Sequence, residues 1–184
     1  MRAIAELVEE HEAIRRMLGV LGVFAARIEG GEQVSEEDLR GIGEFFSVFA
    51  DKCHHGKEEE TLFPLLEKAG IPRDGGPIGV MLYEHTLGRS LVARIRGSVD
   101  GCLAGDSAAR HEFASAAREY IGLLDSHIAK ENNVLFPMAE SRLTPEQDGE
   151  LVAAFETLER DRIGEGVHEK LHEMMERLER TYLA

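Results

Sequence analysis

Apolar residues recur at helical spacing along nearly the whole chain. Ile4, Leu7, Val8, Ile14, Leu18 and Leu21 keep a helical period from about residue 3 to 28, and Gly30-Gly31 ends it. Ser35, followed three residues later by Asp38, reads as an N-terminal cap for a second helix reaching Gly70-Ile71-Pro72. An α-helical period there puts Ser47, Ala50, His54 and Glu58 on one face, and Pro64 predicts a kink just beyond. The Gly- and Pro-rich stretch 70–79 is a loop. Pro77 suits the first turn of a third helix, about 77–104, with Ile78, Met81, Leu82, His85 and Val92 on one face. A fourth starts near Ser107, turns Tyr120, Leu123, Leu124, His127, Glu131, Val134 and Leu135 inward, and ends near Arg142.

These helices predict an all-α protein whose residues 1–142 form an up-down-up-down four-helix bundle. Residues 143–184 read as a helical extension. Thr144-Pro145-Glu146-Gln147 combines an N-cap, a first-turn proline and a capping-box glutamine, and Gly164-Glu165-Gly166 breaks the helix it opens. A last helix follows with a seam of Val167, Leu171, Met174, Leu178 and Tyr182. The two C-terminal helices are expected on the outside of the bundle or across one end.

The bundle is written twice. His54-His55-Gly56-Lys57-Glu58 through Leu62-Phe63-Pro64 superposes on His127-Ile128-Ala129-Lys130-Glu131 through Leu135-Phe136-Pro137, both reading HxxxExxxLFP. Upstream of each copy stands a shorter match, Glu10-His11 with Arg15 and Glu84-His85 with Arg89. The four-helix unit is thus two helix pairs, each supplying a histidine and then HxxxE.

Residues four apart lie on one helix face, so an imidazole and a carboxylate at that spacing can grip one metal ion. The second carboxylate oxygen is free to reach another ion. Four imidazoles and two carboxylates, from His11, His54, Glu58, His85, His127 and Glu131, are a donor set for a two-metal site inside a helical bundle. A lone histidine on an apolar stripe is ordinarily a hydrogen-bonded core residue, but that reading explains neither the duplication nor the apolar setting. His55 and Glu59 share the spacing but lie about 100° round the helix. The second copy has Ile128 and Asn132 there, so these two are read as outside the donor set.

Bulk properties narrow the function. A net charge of −14 opposes binding to nucleic acid or an anionic membrane surface. No apolar run approaches a membrane span and the first residues lack a signal-peptide core, so a cytoplasmic location is expected. Cys53 and Cys102 stand far apart without CxxC spacing, which suggests neither a disulfide framework nor a thiolate zinc site.

The order His, HxxxE, His, HxxxE with LFP after each glutamate resembles the hemerythrin-like, or HHE cation-binding, family over about residues 5–142. The ligand pattern looks like that of its di-iron members associated with iron–sulfur cluster repair and nitric oxide stress. The resemblance implies two irons bridged by two glutamates and an oxo or hydroxo group. His11 and His54 would serve one iron and His85 and His127 the other, or the pairs would be exchanged across the bundle, with Glu58 and Glu131 as bridges. Oxygen-carrying hemerythrins have a second histidine where this chain has Arg89, which argues against simple reversible oxygen carriage. The cysteine-bearing N-terminal segment of cluster-repair relatives has no match here either.

Arg15 and Arg89, one turn beyond their histidines, are candidates for holding Glu10 or Glu84 in place, or else ordinary bundle-edge arginines. His168-Glu169-Lys170-Leu171-His172 matches the HExxH zinc protease signature, but no third ligand or cleft follows it. His168 is instead a further candidate for completing one iron where Arg89 leaves a gap. The expected function is binding of dioxygen, nitric oxide or hydrogen peroxide for sensing, detoxification or iron handling. No residue identifies an organic substrate, which favours a metal- and ligand-binding protein over a dedicated enzyme. The rival readings are a metal store or structural metal site, and a bundle acting through a protein partner.

Overall fold

The computed structural model describes residues 1–164 and 166–183, the side chain of His168 excepted. Six helical rods and no strand make up the described residues: α1 (Arg2–Glu29), α2 (36–68), α3 (Pro77–Leu103), α4 (107–142), α5 (145–163) and α6 (Val167–Tyr182). The ends form where local chemistry places them. Ser35 accepts from the Asp38 N–H, Asp106 Oδ1 from the Ala108 N–H at 2.8 Å, and Thr144 and Gln147 close a reciprocal capping box. At the end of α1, Gly31 takes φ 81°, and the N–H groups of Gly31 and Glu32 return to the carbonyls of Ile28 and Arg27. That left-handed turn is one a Cβ would disfavour.

α1–α4 form the bundle, α1 packing on α4, α4 on α3 and α3 on α2. α5 and α6 lie along the remaining side, against α1 and α2, rather than capping an end. They complete two separate apolar layers. Leu151 and Phe155 of α5 join Leu7, Phe63, Ile78 and Phe136, while Leu171, Met175 and Leu178 of α6 join Phe24, Phe45 and Phe49. Burying each such side chain contributes about 1.5–3 kcal/mol. Asp38 anchors α6, accepting from Arg177 Nη1 at 2.5 Å and the Tyr182 hydroxyl at 2.7 Å.

Three departures from regular α-helix matter for function. α2 widens to π-helix over Phe46–His55 and Glu58–Leu62, and α4 over Glu131–Leu135. Where a kink was expected, each copy of the LFP motif emerges from a wide turn, a geometry that bends helices as proline does. The Phe63 and Phe136 N–H groups reach back five residues to the carbonyls of Glu58 and Glu131, immediately before the proline that can donate no such bond. The wide turns also shift the phase of the helix. Val134, expected inside, is 50% exposed, and Ser47 is half-buried against Arg96, while His54 and His55 are both buried.

Candidate metal centre

The six residues drawn from the repeat converge between the two apolar layers. His11, His54, His85, His127, Glu58 and Glu131 are each at most 1% exposed. Their ligand atoms form two adjacent groups, His11, His54, Glu58 and Glu131 in one, and His55, Glu58, His85 and His127 in the other. Within each, one atom per residue lies within 4.8 Å of all the others. Glu58 belongs to both. The two histidines of the first helix pair therefore meet in one group and those of the second pair in the other.

The second group contains a residue the sequence reading set aside. His55 is 3% exposed and its ring stacks on His85, centroids 3.8 Å apart. The 100°-per-residue assumption behind its dismissal fails because Phe46–His55 is π-helical, which brings neighbouring residues closer in phase. Its signals in the sequence are its position beside His54 and its spacing of four residues from Glu59. His168, considered for the same gap, has its side chain outside the described residues. His172 of the HExxH sequence stands edge-on to Phe49, centroids 6.2 Å apart, and joins neither group.

Every repeat-derived histidine is oriented through Nδ1. Glu10 Oε2 stands 2.7 Å from that atom of His54, Glu84 Oε2 2.9 Å from that of His127, Glu59 Oε1 2.7 Å from that of His85, and Asn132 Oδ1 2.8 Å from that of His11. The pattern obeys the repeat, Glu10 matching Glu84 and Glu59 matching Asn132. The first two contacts stay within a helix pair; the other two cross between pairs. An acceptor at Nδ1 fixes the tautomer and leaves Nε2 with a lone pair for the interior.

Those inward atoms face one another. His11 Nε2 lies 3.1 Å and His127 Nε2 3.3 Å from Glu131 Oε2, while His54 Nε2 lies 3.6 Å from Glu58 Oε1 and His85 Nε2 3.4 Å from Glu58 Oε2. His11 Nε2, His54 Nε2, both ring nitrogens of His55 and all four oxygens of Glu58 and Glu131 have no partner in hydrogen-bonding geometry. Burial and the neighbouring Glu131 push the Glu58 carboxyl well up. Glu131 is held down to about 2, the imidazoles of His127, His11 and His85 outweighing its burial. Burial and the surrounding imidazoles push His54 well below the usual histidine value, and His55 down to about 3. Buried donors without partners are costly, and cations that displace the Glu58 proton and pair with the Glu131 carboxylate relieve that cost, so the residues fit a metal.

Lysines, and neither candidate arginine, secure the carboxylates behind His54 and His127. Lys57 Nζ lies 2.5 Å from Glu10 Oε1, and the repeat-related Lys130 pairs with Glu84. Lys57 is fully buried and also reaches Glu6 at 2.7 Å and Glu159 of α5 at 2.5 Å. Burial holds the Glu10 carboxyl up to about 7 despite Lys57. Arg15 pairs with Glu12 at the surface, whereas Arg89 binds Asp51 at 2.8 Å and Glu59 at 2.7 Å, steadying the carboxylate that orients His85. Among the described residues no helix is long and apolar enough to cross a membrane.

A family model described as the hemerythrin HHE cation binding domain matches residues 2–139. An uncharacterized protein of Mycobacterium tuberculosis strain H37Rv is 28% identical over 160 residues, 87% of this chain and 62% of the relative. Proteins named iron-sulfur cluster repair protein YtfE are similar too. That of Enterobacter sp. strain 638 is 30% identical over 72% of this chain and 62% of the relative, and that of Edwardsiella ictaluri 31% over 70% and 60%. The chain thus spans under two thirds of the length of the relatives it matches. No solved structure matches it. With the family match running from the first turn of α1 into the last turns of α4 and enclosing the whole His/Glu cluster, the chain belongs to the hemerythrin HHE cation-binding family.

Proposed function

We propose that the chain is a non-haem di-iron protein that binds or reacts with a small diatomic or peroxide ligand in a stress, iron-handling or cluster-repair role. One observation carries this reading: two four-donor groups share Glu58, and most of their inward atoms have no hydrogen-bond partner in the protein. His11, His54, Glu58 and Glu131 would hold one iron, and His55, His85, His127 and Glu58 the other. When bound, such a pair supplies exchangeable coordination positions and one-electron redox steps at an oxygen- and nitrogen-donor site. The chain's own part is to prepare the donors. Glu10, Glu59, Glu84 and Asn132 hold the four imidazoles in register, and the apolar layers above and below exclude bulk water.

The similarity to iron-sulfur cluster repair proteins supports a cluster-repair setting, and membership of a cation-binding family supports a bound metal. The test is metal analysis of the purified chain together with its optical spectrum before and after oxygen or nitric oxide is admitted. Two irons per chain and new near-ultraviolet or visible bands on exposure are the expected result. Retention of iron with no response to oxygen, nitric oxide or added hydrogen peroxide would leave a storage or structural metal site instead.

A further inference from the structure

The duplication makes the two sides of the metal centre comparable, and one difference between them leaves space. His55 in the first helix pair corresponds to Ile128 in the second, and Gly88, one turn after His85, corresponds to Ile14, one turn after His11. Ile14 and Ile128 are both fully buried. Where one side has two isoleucine side chains, the other has an imidazole and no side chain at all. A cavity of about 110 Å³ lies there, between α2 and α3.

Its lining runs from the surface inward. Arg89, Ala93 and Arg96 are exposed and Ser47 and Asp51 half-buried, whereas Phe46, His55, Gly88, Val92 and Tyr120 are buried. His55 is thus shared: it forms part of the inner wall of the cavity and also contributes a ring nitrogen to the group with Glu58, His85 and His127. Neither of its ring nitrogens has a hydrogen-bond partner, Asp51 Oδ1 standing 3.4 Å from Nδ1 outside hydrogen-bonding geometry. We propose that this cavity is the access route and holding site for the small neutral ligand of the second metal position. The proposal rests on the functional reading above.

Size and charge select the ligand class. A water occupies about 30 Å³ of the liquid, so the space admits a few atoms and no organic cofactor. Arg89 is already committed to Asp51 and Glu59, and Arg96 donates to Ser47 at 3.2 Å. Both carboxylates are bound to Arg89, Arg96 stands at the exposed rim, and the deeper walls are largely aromatic and aliphatic. An uncharged diatomic or peroxide is accommodated there without displacing an ion pair, whereas an anion would have to compete with Asp51 and Glu59 for Arg89.

Gly88 provides the test. A Cβ at this position would lie 3.5 Å from Tyr120 Cε2 and 3.9 Å from Leu124 Cδ2, in ordinary contact, and because Gly88 and Tyr120 both line the cavity a leucine there adds bulk at its inner wall. Xenon binding to the full chain, followed by ¹²⁹Xe NMR, reports the cavity without reference to iron chemistry. Nitric oxide association with the ferrous chain, followed by stopped flow, reports the route. A saturable xenon site in the wild type, its loss in Gly88→Leu, and slower nitric oxide association at unchanged iron content are expected. Ala93→Phe at the exposed rim, which leaves the core intact, should likewise slow association should Gly88→Leu fail to fold. Absence of xenon binding in the wild type, or association as fast in a variant that has lost the xenon site, would overturn the proposal. A wild type that binds xenon but no nitric oxide, oxygen or peroxide would instead defeat the functional reading while the cavity stands.

Discussion

Lys57 of the repeated bundle places its ammonium 2.5 Å from Glu159 of α5, a helix outside the repeat. The same ammonium holds Glu10, which holds His54, so α5 reaches the first metal position through three polar contacts. The second half lacks this link: Lys130 is 37% exposed at its side chain and ties Glu84. Removing a partner behind a metal-ligating histidine costs about 10–100-fold in metal affinity. Glu10→Gln should weaken iron retention at the first position by that order, and Glu159→Gln by less at the same position. Chelator competition monitored per iron checks the ordering, and equal loss from both positions would contradict it.

Lys57→Met should be far more damaging to folding than either glutamine variant. It leaves Glu6, Glu10 and Glu159 around a buried space with no cation, and breaking a buried ion pair in this way costs about 3–5 kcal/mol. Chemical denaturation of the metal-free chains measures it.

His55→Phe keeps a ring against His85 but removes both nitrogens. The expected outcome is loss of iron from the second position with the first retained, read by metal analysis and by loss of magnetic coupling between the irons. Unchanged stoichiometry and spectrum would remove His55 from the donor set.

The two carboxylates should not behave alike. Glu58 stands in both donor groups, with one oxygen toward His54 and the other toward His85, whereas Glu131 stands in the first and approaches the second only through Oε2, 3.3 Å from His127 Nε2. Glu58→Ala is expected to deplete both irons, whereas Glu131→Ala leaves more iron at the second position; normal iron content in both variants would refute the assignment.

Attachment of α6 should fail in acid. Hydrogen bonds from Tyr182 and Arg177 hold Asp38 below its ordinary 3.8, more than reversing the effect of burial. A group depressed in the folded chain contributes its full stability above the ordinary value and loses it as pH falls through the folded one. Between neutral pH and about 4 the tie is intact; below that it weakens as Asp38 protonates. Asp38→Asn should remove this acid-dependent part and lower stability at neutral pH by about 1–3 kcal/mol. Near-ultraviolet dichroism of Tyr182 across an acid titration follows the change.

The sequence by itself determined the elements and the convergence of the six donors. Capping residues and glycines are local signals, and a histidine with a carboxylate one turn away is a local geometry, so repeating both along the chain specified helix ends and the inward-facing atoms. Other features depended on contacts between distant residues. Pairing Glu59 with His85 and Asn132 with His11 requires two helix pairs to face each other. Glu159 becomes part of the site only because α5 lies along α1 and α2. His55 enters through a π-helical stretch whose phase a regular 3.6-residue reading cannot supply, since that geometry is adopted where packing outweighs the α-helical hydrogen-bond register. The cavity beside it is likewise a tertiary result: Gly88 and His55 are unremarkable along the chain, and only their meeting across two helices leaves space.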